Sequence, residues 1–151
     1  MDNLSKIGIW LNRIIIMAVS FLFLTLGIRN LFDPLKNAMK SDIILNSSTA
    51  LSVARVSMGA FPLALAIVLL TSLFSKPQIF RGILTVFIFI VLTTIARIAS
   101  LQIDGHSEFG LKVLIPEIII TILSTIGLYL EVRRRKRKDL NEKQLNNPIT
   151  N

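Results

Sequence analysis

Residues 51–74 read LSVARVSMGAFPLALAIVLLTSLF and residues 80–101 read FRGILTVFIFIVLTTIARIASL, two apolar runs parted by little more than Ser75-Lys76-Pro77-Gln78. A hydrocarbon core about 30 Å thick is crossed by a helix of about 20 mostly apolar residues. Each run is long enough to cross, and so short a connector forces the two helices to be antiparallel neighbours. Working outward, a third block of the same kind spans Ile7–Ile28, and a fourth begins at Leu111 or Ile115 and ends at Val132. The fold read from this pattern is all-α, an integral membrane four-helix bundle over residues 1–132, with helices about 7–28, 51–74, 80–101 and 111–132.

Composition points the same way. Of 151 residues 52% are hydrophobic and 17% charged, with a mean hydropathy of +0.66, against roughly 25% charged residues in soluble domains. The absence of cysteine excludes disulfides, thiol nucleophiles, iron–sulfur clusters and Cys-ligated zinc. A single histidine, His106, leaves no ligands for a bis-histidine haem or a histidine-rich metal site, so no cofactor is expected. His106 itself reads as a surface loop residue. The first apolar block follows Lys6, like a secretory signal, but it is longer than a signal core. Thr25-Leu26-Gly27-Ile28-Arg29-Asn30 also offers no small-x-small cleavage pattern, so the block reads as a membrane helix.

The connectors set the topology. Arg29–Ala50 carries Asp33-Pro34, Lys36, Lys40, Asp42 and Asn46-Ser47-Ser48-Thr49, the composition of a surface loop. Its Pro34–Leu45 portion could form a short interfacial helix, and Ser47 or Ser48 could cap the second crossing. Asn46-Ser47-Ser48 also matches a glycosylation sequon, which would matter only in a eukaryotic lumenal loop. Asp104-Gly105 marks a turn before the fourth helix. Lys6, Lys76, Arg81, the run Arg133–Lys138 and Lys143 gather on one side, whereas Arg29, Lys36, Lys40 and Lys112 lie on the other. By the positive-inside rule both termini are expected in the cytoplasm of a bacterial cytoplasmic membrane. Trp10 fits an interfacial anchor.

Residues 133–151 read as a basic, disordered cytoplasmic tail and supply most of the formal net charge of +8. Arg133, Arg134, Arg135, Lys136, Arg137 and Lys138 could serve as a topology anchor or could hold anionic lipid, at about 1 kcal/mol per basic residue. No folded basic face or aromatic stacking partner accompanies them, so nucleic acid is not an expected partner.

Within the apolar blocks stand Arg13, Arg55, Arg97 and Glu117, and each charge costs at least about 2.5–3.5 kcal/mol to insert. Arg13, toward the inner end of the first helix, can snorkel to the headgroups. The other three occupy three different helices at similar depth in the outer half. Thr93, Thr94 and Ser100 share the face of Arg97, and Thr121, Ser124 and Thr125 continue that of Glu117, a polar stripe that should face the bundle. Gly59 allows close helix approach beside Arg55, and Pro62 frees the carbonyl of Met58, which can kink the second helix. Arg55, Arg97 and Glu117, with Asp104 at the mouth, form the candidate ligand site, with a surplus of positive charge suited to an anionic headgroup, carboxylate or phosphate. The competing reading is a closed Arg–Glu clamp that binds nothing. If Pro116 lies in the first turn of the fourth helix, the helix dipole near water would by itself favour Glu117.

The ordered set Arg55-x-x-x-Gly59, Arg97, Asp104-Gly105 and Glu117 resembles a family of small four-helix bacterial membrane proteins known only as a domain of unknown function. The resemblance covers roughly Ile7–Leu130, and departs from the family pattern at Ala60, where a second glycine is usual. The layout is also similar, more distantly, to DoxX-like membrane proteins. Neither resemblance implies a reaction, and Glu117 lacks a second acid/base group beside it. The expected role is therefore binding of a lipid or small anionic amphiphile. The alternative is a non-catalytic assembly or scaffold subunit, as a homo-oligomer or within a larger membrane complex. An open polar cleft would indicate the first, and closed ion pairs the second.

Overall fold

A computed structural model describes residues 3–41, 43–105 and 108–146; Asp42 and His106, both read above as loop residues, lie outside them. The chain forms α1 (Asn3–Phe32), α2 (Pro34–Met39) and α3 (Ser48–Ala54), then a π-helical turn (Arg55–Ala60), α4 (Phe61–Thr71), α5 (Lys76–Ile103) and α6 (Glu108–Asn146). Four segments are long and apolar enough to cross a membrane: Ile7–Phe32, Ser48–Thr71, Pro77–Ile103 and Glu108–Leu140. They show the expected four apolar helices, each with shifted ends. Phe74 and Ile103 are more than 80% exposed, and only 17–39% of each apolar window is buried in the fold. So much exposed apolar surface is stable only against lipid, which makes this a multi-pass membrane protein.

Local chemistry explains most boundaries. The short helix expected between the first two crossings is α2, with Pro34 in its first turn and Asp33 Oδ1 accepting from the Lys36 N–H at 3.2 Å. Ser47, the first of the two expected caps, accepts from the Ala50 N–H at 3.1 Å and starts α3. Removing that acceptor in Ser47→Ala should lower stability by about 1 kcal/mol. A thermal unfolding midpoint equal to wild type in detergent would show that water replaces the cap.

Pro62 leaves its mark on the turn before it. It has no N–H to donate, and its ring would collide with the Met58 carbonyl in a regular helix. The preceding turn widens instead, with the Phe61 N–H bonding the Val56 carbonyl five residues back. The second crossing thus runs as α3, π-turn and α4 without a break in sequence. Gly105, at φ +93°, supplies the left-handed residue of the α5–α6 turn.

Two expectations about the last helix fail. Pro116 is interior to α6, which begins at Glu108, so Glu117 is not at a solvated helix end. The basic segment is helical as far as Asn146, not disordered from Arg133. Lys, Arg, Glu and Gln are good helix formers, and Glu131 fastens Arg134 and Arg135 at the (i, i+3) and (i, i+4) positions.

The core lies where α1, α4 and α5 converge, with Ile9, Ile16, Val19, Leu69, Ile83 and Val86 buried together. Phe23 and Phe89 stack edge to face just beyond it, with centroids 5.1 Å apart. α1 is the central helix: α4 and the π-turn pack on it, as do α5 and α6. α5 and α6 pair with each other, while the π-turn lies against α1 and α2, and α3 against α2. The N-terminal half of the second crossing, α3 and the π-turn, is therefore set apart from the α5–α6 pair, and this separation decides how the candidate residues are distributed.

Candidate functional site

Arg97 and Glu117 are brought together by the antiparallel packing of α5 on α6. Arg97 Nε donates to Glu117 Oε2 and Arg97 Nη2 to Oε1, both at 2.8 Å, a two-pronged pair that fixes both side chains. The Glu117 side chain is 10% exposed and that of Arg97 26%. One turn away the hydroxyls of Thr94 and Thr121 stand 3.3 Å apart and Ser124 is buried, so this part of the polar stripe faces the bundle, whereas Ser100 and Thr125 are exposed. The guanidinium edge not turned to Glu117 still has N–H donors, and each carboxylate oxygen accepts one of the two bonds.

Arg55 and Asp104 do not join this pair. Arg55 opens the π-turn on the second crossing, is exposed, and makes no ion pair among the described residues. Asp104 accepts from Ser100 Oγ at 2.9 Å on its own helix. The single pocket expected from Arg55, Arg97, Asp104 and Glu117 is thus divided, because the second crossing packs on α1 rather than on α5 and α6. The depths nevertheless agree. Arg97 is six residues before Ile103, Arg55 seven after Ser48 and Glu117 nine after Glu108, or roughly 9–14 Å from the helix ends.

Near Arg55 an open groove of about 400 Å³ runs along α3 and the π-turn, lined by Leu45, Ser47, Thr49, Val53, Ser57 and Met58 among others. That volume falls within the range of about 300–1,000 Å³ usual for ligand clefts. Its lining combines three hydroxyls, of Ser47, Thr49 and Ser57, with apolar side chains, and Arg55 stands next to it in sequence without lining it. The π-turn is the irregular feature of this crossing, and such turns often accompany functional sites.

At the opposite end lies a cluster that the sequence reading missed. Glu131 is 1% exposed and accepts from Arg134 through two nitrogens, at 2.8 and 2.5 Å, and from Arg135 Nε at 3.3 Å. Arg135 also donates to the Pro77 carbonyl at 3.0 Å and lies over the Phe80 ring at 4.3 Å, fastening α6 to the start of α5. The signal was available, since Glu131 continues the spacing of Glu117, Thr121 and Ser124, but Glu131 abuts the basic run and looks like part of a solvated end.

Asn12 was missed for a similar reason, standing beside the more conspicuous Arg13. It is wholly buried, and its Nδ2 donates to the Gly127 carbonyl at 3.1 Å. Its Oδ1 has no partner among the described residues, nor does Arg13 Nε, while the Arg13 guanidinium sits 5.8 Å from the Trp10 ring. Among the described residues no group of three or more His, Cys, Asp or Glu could hold a metal ion.

No curated protein and no solved structure matches the chain significantly, and a likeness to DoxX-like proteins is not shown. Residues 11–128, from within α1 to within α6, match the family model described as "Domain of unknown function (DUF4345)", and the chain belongs to that family.

Proposed function

We propose that this membrane protein is a non-catalytic binding module that holds an anionic lipid or similar amphiphile in the outer half of its second crossing. The observation that carries this reading is Arg55, an exposed cation within an apolar crossing that has no carboxylate partner among the described residues and follows directly on Ala54, a lining residue of an open groove of about 400 Å³. A guanidinium in that position needs an anion, and a lipid headgroup is the anion at hand. Hydroxyls of Ser47, Thr49 and Ser57 would orient the head, and Val53 and Met58 would receive the chain.

The distribution of Lys and Arg supports an orientation with both termini cytoplasmic and this groove facing outward. At the inner end Arg134 and Arg135 are committed to Glu131. Contact with inner-leaflet anionic lipid then falls mainly to the exposed Arg133, Lys136 and Lys138.

Native mass spectrometry after gentle extraction tests the reading. Wild type should retain a discrete anionic lipid, and Arg55→Leu should lose about tenfold in occupancy, the scale of one charge-assisted hydrogen bond. Its unfolding midpoint should not change, because Arg55 holds no other helix. Equal adducts on both proteins, or none on either, would overturn the site. A second reading, an assembly subunit of a larger membrane complex, is favoured by the closed Arg97–Glu117 pair. It predicts a co-extracted protein partner that is retained in Arg55→Leu.

A further inference from the structure

The short helix between the first two crossings carries a surface that the rest of the fold leaves uncovered. α2 packs on α1, α3 and the π-turn, with Pro34 and Ala38 buried. Residues four apart share a helix face, so Leu35 and Met39 form a second row and Lys36 and Lys40 a third. All four are exposed. Phe32, 82% exposed, precedes the apolar row, and Ile44, 78% exposed, follows it. The rows are held in place by the backbone. Asn37 Nδ2 donates to the Arg29 carbonyl at 3.0 Å and to the Asp33 carbonyl at 2.9 Å, which ties α2 to the end of α1. The Ser41 and Ile43 N–H groups both donate to the Ala38 carbonyl and close the helix.

Continuity and charge both point to lipid as what covers this surface. Phe21, Ile28 and Phe32, seven and four residues apart, are exposed along one face of α1, in a crossing whose apolar surface lies against lipid. Leu35 and Met39 take up the apolar pattern where that face ends. Arg29, Lys36 and Lys40 are exposed and make no ion pair among the described residues, while Asp33 Oδ1 accepts from the Lys36 backbone N–H. An apolar row bordered by lysines is the pattern of a helix lying in the headgroup layer, where its cations meet phosphates.

We propose that α2, flanked by Phe32 and Ile44, docks on the bilayer surface and gathers anionic phospholipid there. Leu35 and Met39 enter the boundary of the acyl chains, and Arg29, Lys36 and Lys40 hold the phosphates. This surface is separate from Arg55, and it gathers lipid whether or not the groove beside the π-turn is filled.

The chain has no cysteine, so Met39→Cys gives a single labelling position for an environment-sensitive fluorophore. The labelled full chain is placed in vesicles of phosphatidylcholine and phosphatidylglycerol, and quenching by spin-labelled phosphatidylglycerol is compared with quenching by spin-labelled phosphatidylcholine. The fluorophore should be shielded from aqueous iodide. Phosphatidylglycerol should be enriched around it by roughly fivefold, the scale of one lysine beside an acidic leaflet. Raised salt should weaken that enrichment, and Lys36→Gln/Lys40→Gln should abolish it. Arg55→Leu should leave it unchanged. Equal quenching by the two lipids would overturn the proposal. So would a fluorophore reached by iodide and by neither lipid, which would leave the row free for a protein partner. Enrichment lost in Arg55→Leu but kept in Lys36→Gln/Lys40→Gln would also overturn it, and would assign the lipid to the groove. Should Met39→Cys fail to fold, the label at Ile44→Cys is read against the same outcomes.

Discussion

Arg97→Leu should lower the stability of the folded protein by on the order of 3–5 kcal/mol, the scale of stripping one partner from a buried ion pair. The two groups respond unequally. Arg97 is long and 26% exposed on its side chain, so without Glu117 it can extend toward the headgroups. Glu117 is short and its side chain is 10% exposed, so without Arg97 it keeps a buried carboxylate with no cation. Arg97→Leu should therefore cost more than Glu117→Leu. The double variant Arg97→Leu/Glu117→Leu should regain most of the loss, since an apolar pair needs no desolvated charge. Thermal unfolding of the three variants in one detergent reads this directly. Additive losses would mean that the pair does not hold α5 to α6.

The other large effect belongs to Gly27. A Cβ there would stand 2.8 Å from the Leu63 backbone nitrogen and 2.9 Å from the Gly59 carbonyl oxygen. Neither is the end of a flexible side chain, so α1 and the second crossing would have to move apart. Helices in lipid gain little from hiding apolar surface and depend on close backbone packing. Gly27→Ala is thus expected to cost about 3 kcal/mol, at the upper end for overpacking, and to reduce lipid retention beside Arg55. Gly127→Ala should be milder, because the atom it meets is the Asn12 side-chain amide, which can turn away. Equal unfolding midpoints for Gly27→Ala and wild type would contradict so close a crossing.

How legible these features were depended on whether their cause was local. The α4–α5 turn, the Ser47 cap and the Asp104-Gly105 turn rest on residues adjacent in sequence, and each was readable. Gly59 was recognisable as a close-approach residue, but its counterpart Gly27 was not, because nothing in α1 marks which glycine lies at the crossing. The π-turn stayed hidden because Pro62 shows only that a carbonyl is freed. How the helix accommodates that carbonyl depends on its surroundings in the fold. Glu131 was concealed by the basic run that follows it, although its spacing from Glu117 placed it on the same face.

Sequence alone determined the four crossings and the charges within them, because hydrocarbon thickness and the insertion cost of ions act on each segment separately. Only the tertiary structure decided which charges meet. Arg55, Arg97 and Glu117 share a depth, and depth is a property of each helix by itself. Partnership depends on which helices touch, and α1, placed centrally, leaves α5 to pair Arg97 with Glu117 on α6 and leaves Arg55 exposed, with no ion pair among the described residues.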